Sequence, residues 1–226
     1  MKFFVIFKFL IIFSTVVTFA NPAMIKGKIT DLYTGSPIAV NIELRDTKGG
    51  KIKINSNSIS GLFEQVLNSG EKYKVILSGA NILREEFDYQ MPDSGKYFET
   101  NVEWKAKNIS VGSEIYKLKL FNVNSAEISS EGLAEIAKLK EVMKFNRAIS
   151  IDISICSKDS YQNEKKVDQN KFKELTKQRI AALDALLVDW KKDRARIILS
   201  ESKEELPKNS DTSVKISKID DLFNNK

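Results

Sequence analysis

Apolar and polar residues alternate without a break from Ile149 to Ile155, with Ser150, Asp152 and Ser154 standing between the isoleucines. A period of two predicts a strand with one buried face. Downstream lies a polar loop, Cys156-Ser157-Lys158-Asp159 and on to Asn170. A long helical pattern follows, with Phe172, Leu175, Leu183, Leu186 and Trp190 near one face, and then a short apolar strand, Arg196 to Leu199. Upstream, Tyr116, Leu118 and Leu120 alternate with Lys117 and Lys119 as another strand. Ser129-Ser130-Glu131 supplies a helix cap, and Leu133, Ile136, Ala137, Leu139 and Met143 recur at helical spacing up to Asn146-Arg147. Val214 to Ile219 reads as a last strand. The pattern β-α-β-α-β predicts two helices on a small mixed sheet.

The first half has a different rhythm. Val40, Ile42 and Leu44 alternate with polar residues, as do Tyr73, Val75 and Leu77. Short runs are separated by Leu32–Pro37, Asp46–Gly50, Ser60-Gly61 and Asn68–Gly70. Short strands at regular spacing between turn signals predict an all-β sandwich. The chain therefore divides into a sandwich over 24–104, a polar join over 105–112, an α+β half over 113–219 and a polar tail over 220–226. Overall the class is α+β.

Residues 1–20 change the picture of location. Lys2, an apolar run through Phe13, Val16 and Val17, and Thr18-Phe19-Ala20 before Asn21-Pro22 have the form of an export signal peptide. A spanning helix fits less well, because Lys8 interrupts a stretch that is already short. We expect cleavage after Ala20 and a periplasmic protein associated with the cell wall or outer membrane. The first half lacks the long tilted strands of a transmembrane barrel.

The formal net charge is +6, and Lys2 and Lys8 belong to the leader. The remaining lysines are interleaved with acids, unlike a nucleic-acid-binding face. The chain has no histidine and one cysteine, Cys156. That removes Ser-His-Asp and Cys-His catalysis, histidine or cysteine metal sites and any internal disulfide. Carboxylate-only hydrolysis remains as a third, minor reading, but the acids are scattered among lysines. We expect no enzyme, no cofactor and no metal.

The stretches Gly27-x-Ile29-x-Asp31, Thr34-Gly35-x-Pro37-Ile38, Val40-x-Ile42-x-Leu44, Gly61-x-Phe63, Leu67-x-x-Gly70 and Tyr73-x-Val75 resemble the carboxypeptidase-regulatory-like, transthyretin-like sandwich family. That resemblance implies a seven-strand spacer or interaction module.

In the second half, several stretches resemble the OmpA-like (OmpA/MotB C-terminal) domain: Leu118-x-Leu120-Phe121-Asn122, Leu133-x-x-Ile136-Ala137-x-Leu139, Ile151-x-Ile153-x-Ile155 followed by Cys156-Ser157-Lys158-Asp159, and Leu175-Thr176-x-x-Arg179. The resemblance implies non-covalent binding of peptidoglycan. An aspartate and an arginine grip the ammonium and carboxylate of diaminopimelate by charge-assisted hydrogen bonds. Those roles fall here to Asp159 and Arg179, with Ser157, Lys158, Leu175 and Thr176 completing the expected site. The chain departs from the family pattern where Cys156-Ser157-Lys158 replaces Gly-His-Thr, where Phe172 replaces an asparagine, and where Asp211-Thr212-Ser213 replaces Asn-Arg-Arg. The alternative expectation is a structural or protein-interaction subunit of an envelope assembly whose OmpA-like domain no longer binds the wall.

Overall fold

The computed structural model describes residues 21–158, 169–202, 206–207 and 209–220. The leader, Asp159 and the end of the chain lie outside them.

Seven strands build the first half: β1 (Pro22–Asp31), β2 (Asn41–Asp46), β3 (Lys51–Asn55), β4 (Leu62–Asn68), β5 (Lys72–Gly79), β6 (Ile82–Gln90) and β7 (Glu99–Ala106). They form a three-stranded sheet in the order β4-β1-β7 and a four-stranded sheet in the order β3-β2-β5-β6. β1 pairs antiparallel with β4 and parallel with β7. Inward residues of both sheets, among them Ile25, Ile29, Ile42, Leu44, Val75 and Leu77, are buried together. Trp104 anchors this core: Phe63 stacks on it at 5.1 Å between ring centroids, and Phe87 and Tyr89 meet it edge-on. A Cβ at Gly27 would stand 2.1 Å from the Phe63 ring. The glycine of the Gly27-x-Ile29 stretch is therefore the notch that lets this aromatic cross the neighbouring strand.

The second half contains β8 (Glu114–Leu118), α1 (Ser130–Phe145), β9 (Ile149–Ile155), α2 (Gln169–Leu187), a 3₁₀ segment (Val188–Arg196), β10 (Ile197–Glu201) and β11 (Thr212–Ile219). The sheet order is β10-β9-β11-β8, with β9 and β10 parallel and β11 antiparallel to both its neighbours. Ile149, Ile151, Ile153 and Ile155 are all buried, and they share a core with Ile136, Leu139 and Met143 of α1 and Leu183 and Leu187 of α2. The Ser129 side chain caps α1 by accepting from the Gly132 N–H at 2.9 Å.

Several boundaries differ from the sequence reading, the start of β11 at Thr212 rather than Val214 among them, and three have a clear local reason. The first strand stops at Leu118 rather than Leu120, because the Leu120 and Phe121 N–H groups turn to the Asp211 carboxylate at 2.8 and 2.9 Å. Trp190 is not on α2: the helix ends at Leu187, and Lys191 has φ 51° and ψ −115°, outside helical geometry. Trp190 is nonetheless buried in the same core. Arg196 precedes the strand that starts at Ile197, and its guanidinium donates to the carbonyls of Met143, Asn146 and Ile149.

The two cores are joined by close contacts. Leu83 of β6 is buried with the second core. Asn146, at the end of α1, accepts from the Arg84 N–H at 2.8 Å and donates to the Arg84 carbonyl at 3.0 Å. Lys107 and Tyr116 both donate to the Glu85 carboxylate, at 2.7 and 3.0 Å. Within 105–112, Lys105 and Ala106 complete β7, Ile109 is buried, and Gly112 donates to the Ile216 carbonyl.

Candidate ligand site around Arg179

The buried stripe of α2 carries Phe172, Leu175, Thr176, Arg179, Leu183 and Leu187. An i, i+3/i+4, i+7 spacing places these side chains on one helix face, against the sheet. The arginine therefore enters the interior because of its position in an otherwise core-facing stripe. Its side chain is 0% exposed. The Nε donates to the Ser125 carbonyl at 2.9 Å, Nη1 to Cys156 at 3.1 Å and Nη2 to Asn122 at 3.2 Å. The guanidinium lies over the Phe121 ring, 4.9 Å from its centroid. A planar donor fork of this kind can bond several carbonyls at once, which a lysine cannot do. Arg179 thus ties the 122–125 turn to the exit of β9.

The other expected site residues divide. Ser157 and Thr176 are both buried, and their hydroxyl oxygens are 2.9 Å apart. Thr176 Oγ1 also bonds the Phe172 carbonyl at 3.0 Å, the usual backward bond of a threonine inside a helix. Leu175 is a core residue at 7% exposure, whereas Lys158 is exposed. Ser157, Thr176 and Arg179 therefore converge at the mouth of β9, and Lys158 marks the surface beside them. Asp159, the expected acid of the pair, lies outside the described residues. Among the described residues, no group of three or more His, Cys, Asp or Glu side chains could hold a metal ion.

Sequence reasoning did not single out Asp211 as a hub. It is 0% exposed and accepts from the Leu120 and Phe121 N–H groups and from the Thr212 hydroxyl, and the Lys119 ammonium lies 3.3 Å away. Its own backbone donates to the Leu118 carbonyl and accepts from the Cys156 N–H. Through its carboxylate and its own backbone, Asp211 ties the 118–121 segment and the exit of β9 at Cys156 to the start of β11. The available signal was an acid just ahead of the last alternating strand, where the OmpA-like pattern expects asparagine.

The contact between the halves carries its own electrostatics. Burial, and the Glu85 carboxylate beside it, push the Tyr116 phenol far above the usual tyrosine range. Lys107 Nζ sits 4.0 Å from the centre of the Tyr116 ring, a close cation–π contact.

No protein-family model matches this chain, and no curated protein matches it. Solved structures do resemble it in part. The Bacillus anthracis TIE protein aligns at a TM-score of 0.33 and 16% identity, over 38% of this chain and 17% of that one. A C-terminal fragment of the pilus adhesin SpaC from Lactobacillus rhamnosus GG aligns at 0.33 and 11%, over 41% and 47%. A 3-chlorocatechol 1,2-dioxygenase from Rhodococcus opacus aligns at 0.34 and 9%, over 40% and 61%. In each case this chain spans less than two thirds of the other. Likenesses this distant carry nothing about activity or ligand.

Proposed function

We propose that this chain is an exported, non-catalytic envelope protein whose second half is an OmpA-like domain used as a structural or protein-interaction module. The β-sandwich is its companion, joined to it through Leu83, Glu85 and Asn146. The order of elements and the mixed sheet with β11 between β9 and β8 support the OmpA-like reading. One observation carries the functional choice: the Arg179 guanidinium is fully buried, and each of its three nitrogens donates to a backbone carbonyl. Those bonds, each worth about 1.5–3 kcal/mol when the donor is charged, hold the guanidinium inside the fold as a brace between the 122–125 turn and the exit of β9.

The second reading is retained peptidoglycan binding. The convergence of Ser157, Thr176 and Arg179 beside exposed Lys158, the residue before Asp159, favours it. Sedimentation of the processed chain with insoluble peptidoglycan, beside Asp159→Ala and Lys158→Ala, separates the two. The proposed function predicts that wild type stays in the supernatant while folded. Pelleting of wild type that is lost in Asp159→Ala would overturn it in favour of wall binding.

A further inference from the structure

We propose that the surface made by the C-terminal end of α1 and the 3₁₀ segment docks on anionic lipid headgroups. Lys140 and Lys144 are one helical turn apart, and Arg147 is the second residue beyond the helix; all three are exposed. Arg196 holds the 3₁₀ segment against this end of α1 through the Met143, Asn146 and Ile149 carbonyls. Lys140 Nζ stands 5.9 Å from the Trp190 ring, and Lys191 and Lys192, both exposed, follow Trp190 along the same 3₁₀ segment.

The acids nearby are largely occupied. Asp184 is bound by Arg194 and Asp193 by Arg196. Glu141 pairs with Lys144 at 3.3 Å, and Asp189 remains. Among the described residues, no acid forms an ion pair with Lys140, Arg147, Lys191 or Lys192. The patch thus keeps a local excess of positive charge on a chain whose lysines are elsewhere interleaved with acids.

Phe145 selects lipid over a purely polar polymer. It is 39% exposed, with the Arg84 guanidinium 5.1 Å and the Lys144 ammonium 5.8 Å from its ring. An exposed aromatic ringed by cations suits a surface whose apolar layer begins beneath its charges. No helix of the described residues is long and apolar enough to cross a membrane, and the docking is peripheral. The inference shares with the proposed function only the export of the chain and does not depend on the state of Arg179.

The test is sedimentation of the processed chain with vesicles of phosphatidylcholine, with and without phosphatidylglycerol. Wild type is expected to pellet only with the anionic vesicles, and less so as salt is raised. Lys140→Gln combined with Lys192→Gln should lower that affinity roughly thirtyfold, at about fivefold per cation, with an unchanged circular dichroism spectrum. Lys51→Gln with Lys53→Gln, on β3, should leave binding intact. Failure to pellet, equal pelleting with neutral vesicles, or equal loss in the β3 variant would overturn the proposal. Patch-dependent binding to soluble polyphosphate without vesicle binding would overturn it too, by identifying an anionic polymer as the partner.

Discussion

The two cores of this molecule differ in their use of fully buried charge. In the sandwich, Ile25, Ile42, Leu44 and Val75 fill the space between sheets around Trp104, with a glycine notch for Phe63. In the α+β half, apolar packing is supplemented by two fully buried charged residues, Arg179 and Asp211, each bonded to backbone of distant segments. The difference teaches where each half is vulnerable. An apolar core loses stability in proportion to the volume removed and tolerates swaps of similar shape. A buried charged hub fails all at once, because removing it strands partners that cannot reach water.

The largest effect should come from Arg179→Met, which keeps the apolar stem and removes the donors. We expect a loss of about 4 kcal/mol, read as a fall in the urea midpoint, and little rescue by Arg179→Lys. Asp211→Asn comes next. An amide can accept from only one of the Leu120 and Phe121 N–H groups through its oxygen, and the loss should be about 2 kcal/mol. If both hub substitutions cost no more than an apolar trim, the contrast between the cores collapses. The reference trim is Ile25→Val in the sandwich, expected at about 1 kcal/mol.

The smallest effect concerns the seam between the cores. Tyr116→Phe removes the hydrogen bond to Glu85 and should cost roughly 0.5–1 kcal/mol at neutral pH. Its signature is at alkaline pH. The folded phenol is raised by burial and by Glu85, so its contribution is complete below the unfolded tyrosine pKa of about 10. It is lost as pH rises above that value, because the unfolded chain then releases the proton first. Tyr116→Phe should therefore flatten the alkaline decline in stability. Some decline should remain, since burial also raises Tyr33, Tyr73 and Tyr89.

Much of the architecture was legible from periodicity. The four isoleucines of β9, the cap at Ser129, the end of α1 before Asn146 and the Val214–Ile219 stretch of the last strand all stand where the pattern put them. These features are governed by local chemistry. The parts that were not legible depend on partners far along the chain. Asp211 ends β8 from more than ninety residues away by taking the N–H groups of Leu120 and Phe121. Arg179 could be read as a surface ligand grip or as an interior brace, because sequence spacing gives its helix face but not which carbonyls meet it. Asn146 and Glu85, which join the halves, look like ordinary polar positions in the sequence.

The most direct test of the central claim is the side-chain ¹⁵N–¹H signal of Arg179 Nε, followed by NMR while a muropeptide containing diaminopimelate is added. A guanidinium bonded to Ser125, Cys156 and Asn122 inside the fold predicts a slowly exchanging Nε–H whose chemical shift does not move with ligand. A rapidly exchanging signal that shifts and saturates with the muropeptide would contradict the account and identify Arg179 as a binding residue.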